Sequence, residues 1–191
     1  MAGSLIRSGF IFGMMLAPGG CFGQPPGSAP AASITLEPIS LSRWQQKLAS
    51  YRGQIVVVDF WATWCGPCLE RFPHMVALAS KYGREGRIRF VSMSLDDRDD
   101  RPALQRALDF LKRQNAAFEN YRLDEIIPDA MEKLDLLGIP AVFIYDRRGE
   151  LSYRLTGDNP DRQFTDADVE AAIRELLKAD LVNRKDAKTR D

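Results

Sequence analysis

Apolar positions follow two rhythms along this chain. Between positions 54 and 61 they run almost unbroken, IVVVDFW, with Asp59 the one charged residue inside the run. A short run rich in β-branched and aromatic side chains suits a strand covered on both faces. Runs at 87–94 (RIRFVSMS) and 140–146 (PAVFIYD) predict two more strands, and 118–123 a short extra one. Residues 147–149 make a turn, and 150–155 return as the second strand of an antiparallel hairpin. Elsewhere the period is about 3.6 residues, the signature of amphipathic helices. It predicts helices at 41–51, 67–82, 102–114 and 126–137, the last stopped by Gly138. Leu104, Ala107, Leu108 and Leu111 form the stripe of the third helix. A final helix starts near Thr165, where Thr165 and Asp168 make a capping-box-like pair. Its apolar face is Val169, Ala172, Ile173, Leu176 and Leu177. Strands alternating with helices predict an α/β domain with helices on both faces of a sheet.

The first part of the chain follows neither rhythm. Arg7 precedes a short apolar run, GFIFGMMLA at 9–17, and small residues lead to Cys21. Spanning a bilayer takes about 20 apolar residues, so the run suits the h-region of a secretory signal. The segment resembles a bacterial lipoprotein signal in which the lipidated cysteine becomes the first mature residue. Pro18 stands where such signals usually carry Leu, while Gly19 and Gly20 fit. Cleavage further on, an uncleaved anchor and an irregular cytoplasmic N-terminus are the competing readings. The expected organisation is a signal at 1–20 with Cys21 as anchor, a Pro/Gly-rich linker at 21–33, a folded domain at 34–181 and a charged, disordered tail at 182–191.

Composition narrows the functions. Lys plus Arg and Asp plus Glu each number 26, so no net charge argues for nucleic acid as a partner. One histidine excludes a multi-histidine metal site. Three cysteines, Cys21, Cys65 and Cys68, are too few for a disulfide-stapled mini-domain.

The chemistry concentrates at Cys65 and Cys68. The segment VVVDFWATWCGPC runs from a buried strand through a turn into a helix. Cys65 then sits at a helix N-terminus, where unpaired N–H groups and the helix dipole favour a thiolate, by up to about 2 kcal/mol. Thiolate is the reactive form, which makes Cys65 the nucleophile. Cys68 shares its azimuth with Phe72, Met75, Val76 and Ala79, an apolar stripe facing the core. The expectation is an exposed Cys65 and a shielded Cys68, the attacker and resolver of thiol–disulfide exchange. Pro67 suits the first helical turn. Half of a zinc site is the alternative for a lone C-x-x-C, but no second half is present. His74, about half a turn away, neither completes a ligand set nor serves as a base for Cys65; it reads as a solvated helix residue.

WCGPC in this setting resembles the active site of the thioredoxin superfamily, and the N-terminal context resembles its membrane-anchored, extracytoplasmic TlpA/ResA-type branch. The likeness covers about 41–177. It implies a thioredoxin fold: a central mixed sheet flanked by helices, with an insertion at about 118–137. It further implies a redox disulfide between Cys65 and Cys68, and a substrate groove at Trp64, Gly66, Pro67, Ile139 and Pro140. Pro73 matches the family's helix proline, Ile139–Pro140 its cis-proline segment, and Gly157 a family glycine. Asp59 is placed behind the disulfide. Burial raises the pKa of an isolated carboxylate, which suits Asp59 to take a proton from Cys68. Two positions depart from the branch: Asp59 stands where many members have Asn, and Arg71 where many have Glu, with Glu70 one place off.

The expected function is a thiol–disulfide oxidoreductase, a membrane-tethered reductase of exported protein disulfides on the periplasmic side. It needs no cofactor and no metal, and draws electrons from a membrane thiol carrier. An oxidase or isomerase on the same fold is the alternative, followed by a non-enzymatic binding module. A peroxidase lacks its Pro-x-x-x-Thr-x-x-Cys setting here.

Overall fold

The structure is a computed structural model and describes residues 33–157 and 163–188. The signal, Cys21 and nearly all of the linker fall outside the described residues. A six-stranded sheet forms the centre. Its strands are β1 (Glu37–Ile39), β2 (Ile55–Trp61), β3 (Ile88–Ser94), β4 (Glu119–Leu123), β5 (Ala141–Tyr145) and β6 (Leu151–Thr156). They lie in the order β1-β4-β3-β2-β5-β6. β1, β4, β3 and β2 run parallel; β5 and β6 are antiparallel, making the sheet mixed. β1 has no sequence signal: three residues, one of them buried, carry no readable period.

The helices are α1 (Leu41–Ser50), α2 (Gly66–Tyr82), α3 (Arg101–Arg113), α4 (Ile127–Lys133) and α5 (Asp166–Lys188), with a single 3-10 turn at Gly83–Glu85. Polar caps start three of them. The Ser40 hydroxyl accepts from Arg43 N–H, and the Asp100 carboxylate from Ala103 N–H. Thr165 and Asp168 close the reciprocal box expected of them: each backbone N–H donates to the other's side chain.

Alternation along β2 divides the core. Val56, Val58 and Phe60 pack with Trp44 of α1 and with Ala107, Phe110 and Leu111 of α3. Ile55 and Val57 pack on the opposite face with Met75 and Leu78 of α2 and with Val169, Ala172 and Ile173 of α5. Helices therefore cover both faces, as the alternation of elements predicts. Asp59 shares the parity of Ile55 and Val57, which points it toward α2 and α5.

Three sequence expectations change. Gly138 does not end α4. The helix stops after Lys133, because Asp135 takes a left-handed conformation (φ 50°) and the N–H groups of Asp135 and Leu136 close back on Glu132 and Met131. This Schellman closure turns Leu136 into the core, where it is buried. In α2, Leu78 rather than Ala79 completes the buried row with Cys68, Phe72 and Met75. The charged segment read as a disordered tail is helical through Lys188, as the continuation of α5. Once a helix is nucleated, each added residue costs little.

Candidate functional site

The two cysteines sit where β2 gives way to α2. Cys65 is the N-cap residue of α2, Gly66 and Pro67 fill its exposed first turn, and Cys68 faces inward. The sulfurs form a disulfide, S–S 1.95 Å, with the Cα atoms 5.3 Å apart. Cys68 N–H points at the Cys65 sulfur at 3.3 Å, so an orphan donor of the helix end is spent on that atom. A negative charge on Cys65 is favoured by the same contact.

The expected contrast in exposure is reduced. Cys65 is buried too, at 6% exposed against 2% for Cys68. Both belong to the main apolar cluster with Trp61, Phe72 and Ala141. An N-cap residue joined to the inward-facing position one turn later is drawn against the core with it. Beside them Trp64 stands 63% exposed. His74 is exposed as expected, though its Nε2 lies 3.5 Å from the Asp166 carboxylate.

The opposite wall comes from β5. Phe60 pairs with Ala141, so Pro140 lies beside the end of β2, a few residues before Cys65. The Ile139–Pro140 peptide is cis, as the resemblance implied. Pro140 is buried and Ile139 half-buried. Gly157 donates its N–H to the Pro140 carbonyl at 2.9 Å, and a Cβ there would meet Pro140 Cδ and O at 3.2 Å. Glycine is favoured there, because any Cβ would press on Pro140 and on the Gln163 side chain at 3.1 Å.

Two buried aspartates lie on or just past neighbouring strands, Asp59 in β2 and Asp96 after β3. Asp59, in mid-β2, is 7% exposed, and no described residue donates a hydrogen bond to it. Burial pushes its carboxyl from 3.8 up to about 7, against the pull of Arg71 and with a small push from Asp166. Asp96, two residues beyond β3, is fully buried and saturated. It accepts from Thr63 N–H (3.0 and 3.1 Å), Thr63 hydroxyl (2.5 Å) and Ser94 hydroxyl (2.8 Å). It thereby fixes the turn that delivers Trp64 and Cys65. Nothing in the sequence singled out Asp96: it stands in an acidic surface-like run, LDDRDD. A polar Ser-Leu-Asp stop at the end of a buried strand was the only available sign.

A cleft of about 740 Å³ lies elsewhere, between the C-terminal half of α2 and strands β3 and β4. Neither cysteine nor Asp59 lines it. A large concavity is a default expectation for a small-molecule site, but here the reactive groups decide the location. Among the described residues no cluster of three or more His, Cys, Asp or Glu side chains is placed to hold a metal ion. No described helix is long and apolar enough to cross a membrane.

Comparisons with known proteins agree with this geometry. The family model described as Thioredoxin matches residues 35–110. The thioredoxin of Coprinus comatus is 33% identical over 87 residues, 43% of this chain and 78% of that protein. Thiol-disulfide oxidoreductase ResA of Bacillus thuringiensis subsp. konkukian is 24% identical over 125 residues, 62% of this chain and 64% of ResA. The chain thus spans just under two thirds of the length of that relative. The crystal structure of a thiol:disulfide interchange protein of the thioredoxin family from Chlorobium tepidum shares the fold. Its TM-score is 0.53 at 22% identity, over 68% of this chain and 83% of that one.

Proposed function

From the premise that the chain belongs to the thioredoxin family, we propose that it is a thiol–disulfide oxidoreductase whose redox centre is Cys65–Cys68. The observation that carries this reading is the disulfide itself, closed between a helix N-cap and the inward position one turn later. As a reductase, the Cys65 thiolate attacks a substrate disulfide. A Cys65–substrate bond forms, the substrate S–S bond breaks, and the released sulfur takes a proton. Cys68 then gives its proton to Asp59 and attacks Cys65. The mixed disulfide breaks, the second substrate thiol leaves, and the Cys65–Cys68 disulfide remains. Two electrons have passed to the substrate. A carboxyl near 7 is matched to such a proton transfer at neutral pH.

Trp64, Gly66, Pro67, Ile139 and Pro140 form the surface on which the substrate strand docks in this reading. The exposed Trp64 and first turn of α2, facing the Pro140 wall, support it. The wider setting is a reductase of exported proteins outside the cytoplasm, held at a membrane through lipidated Cys21 and recharged by a membrane thiol carrier. The apolar segment before Cys21 and the ResA relative support that placement.

Equilibration with glutathione tests direction. A potential near about −270 mV fits a reductase, and one near about −120 mV fits the alternative, an oxidase. Cys65→Ser should abolish reduction of insulin by dithiothreitol-charged protein. Cys68→Ser should stall as a mixed disulfide whose partner mass spectrometry can name. If Cys65→Ser reduces insulin at the wild-type rate, the redox reading is lost. Acyl labelling that disappears in Cys21→Ser supports the tether; unlabelled, freely soluble wild type refutes it.

A further inference from the structure

Arg71 and Asp166 have no role in the exchange chemistry above, yet they meet behind Asp59. Arg71 lies on α2, three residues beyond Cys68, and Asp166 opens α5. Nε and Nη2 of Arg71 both donate to Asp166 Oδ1, at 3.1 and 2.8 Å. The guanidinium also stacks on Phe164, 4.0 Å from the ring centroid. Two contacts on one edge and one face fix the plane of the fork. Nη1 is left over. It is buried and has no hydrogen-bond partner among the described residues.

A charged donor without an acceptor is costly inside a protein. The same atom's residue lines a small cavity with Asp59, Met75, Leu78, Val142, Asp166 and Val169. Its volume is about 10 Å³, close to the minimum for one water. A water there has what it needs: a donor in Arg71 and an acceptor in Asp59, beside the apolar side chains of Met75, Leu78, Val142 and Val169. The groups facing Asp59 from the packed elements are few. From α2 come Arg71, Met75 and Leu78; from α5, Asp166 and Val169; from β5, Val142. Ser92 is its neighbour on β3. His74 touches the arrangement only through Asp166.

We propose that Arg71 is a positioning residue for Asp59: clamped by Asp166 and Phe164, it presents Nη1 to one water in this small pocket that hydrogen-bonds the Asp59 carboxylate, so that the α2–α5 ion pair sets when Asp59 takes a proton. The inference rests on the reading of Asp59 as the acceptor for Cys68. The two charges act on Asp59 in opposite senses, Arg71 favouring the carboxylate and Asp166 opposing it. An arginine cannot shed its proton, so the favouring charge is permanent. The buried carboxyl is correspondingly restrained from rising further.

Titration of the Asp59 carboxyl in the oxidised, full-length protein tests this without any turnover. Carbon-13 carboxyl resonances are followed from about pH 4 to 10, with Asp59→Asn supplying the assignment. Arg71→Gln should raise the midpoint by about one pH unit or more. Asp166→Asn should lower it. Arg71→Lys, which keeps the charge but not the fork, should move it less than Arg71→Gln. If Arg71→Gln fails to fold, Asp166→Asn and Arg71→Lys carry the test. Midpoints that stay put, or that move the same way in Arg71→Gln and Asp166→Asn, overturn the proposal. So does a crystal structure with a dry cavity. Insulin reduction is measured beside the titration. Opposite shifts in a protein that reduces nothing would uphold this inference and sink the proposed function; unmoved midpoints in an active enzyme would do the reverse.

Discussion

Asp59 and Asp96 are carboxylates at nearly equal burial, on or just past neighbouring strands, and the protein treats them in opposite ways. Asp96 accepts four contacts from Thr63 and Ser94, so its desolvation is offset by hydrogen bonds made once, on folding. Asp59 accepts none from any described residue, and its charge stays costly in the folded state. Asp96 holds the Thr63 turn in place, while the unsatisfied Asp59 retains an appetite for a proton. The difference separates the group that holds the Thr63 turn from the group to which the proton transfer is assigned in the proposed reaction.

The largest expected effect breaks the pair on the Asp59 side. Its folded pKa of about 7 lies above the ordinary 3.8. Between those values the folded state binds more protons than the unfolded one, so stability falls as pH rises through that window and the full cost is present above about 7. Asp59→Asn should therefore stabilise the protein at pH 8 by up to about 4 kcal/mol. The gain should vanish below pH 4. Urea unfolding at the two pH values measures it. Equal gains at both would mean that the charge was never the cost. In the same variant the resolving step, read by rapid quench, should slow by about a hundredfold or more at neutral pH, while the first attack by Cys65 stays nearly intact.

Asp96→Ala should act with the opposite sign. It strands Thr63 N–H and two hydroxyls in the interior, and about 3 kcal/mol of stability should go. Reactivity of Cys65 toward iodoacetamide should fall as well, since the Thr63 turn is released. A variant as stable as wild type would remove the contrast.

Gly157→Ala sharpens the comparison from the far wall. The added methyl meets Pro140 Cδ and carbonyl at 3.2 Å, and backbone cannot yield as a side chain does. A loss of about 1–3 kcal/mol in thermal or urea unfolding is expected, with weaker docking of a trapped peptide substrate. Smallest should be Thr165→Ala, about 1 kcal/mol for one lost cap. Because α5 presents Asp166 from its first turn, that variant should also move the Asp59 midpoint slightly. A large shift would mean that the α5 terminus is held by its cap alone rather than by Arg71.

The chain by itself determined the longer elements and the reactive pair. IVVVDFW suited a doubly covered strand, because an almost unbroken apolar run leaves no polar face, and all seven positions are buried. C-G-P-C placed one sulfur at a helix end and the other inward, because helical spacing is local. Asp59 could be noticed as the lone charge in an apolar run. Tertiary structure decided the rest. The unlike treatment of Asp59 and Asp96 depends on which donors arrive from the Thr63 turn, 33 residues away from Asp96. The Arg71–Asp166 clamp joins positions 95 residues apart. The end of α4 follows from Leu136 reaching the core, not from the glycine beyond it. Periodicity reports which face a residue occupies; it is silent on what packs against that face. Hydrogen-bond partners and local dielectric, which set the proton affinity of a buried acid, come into being only when distant segments are brought together.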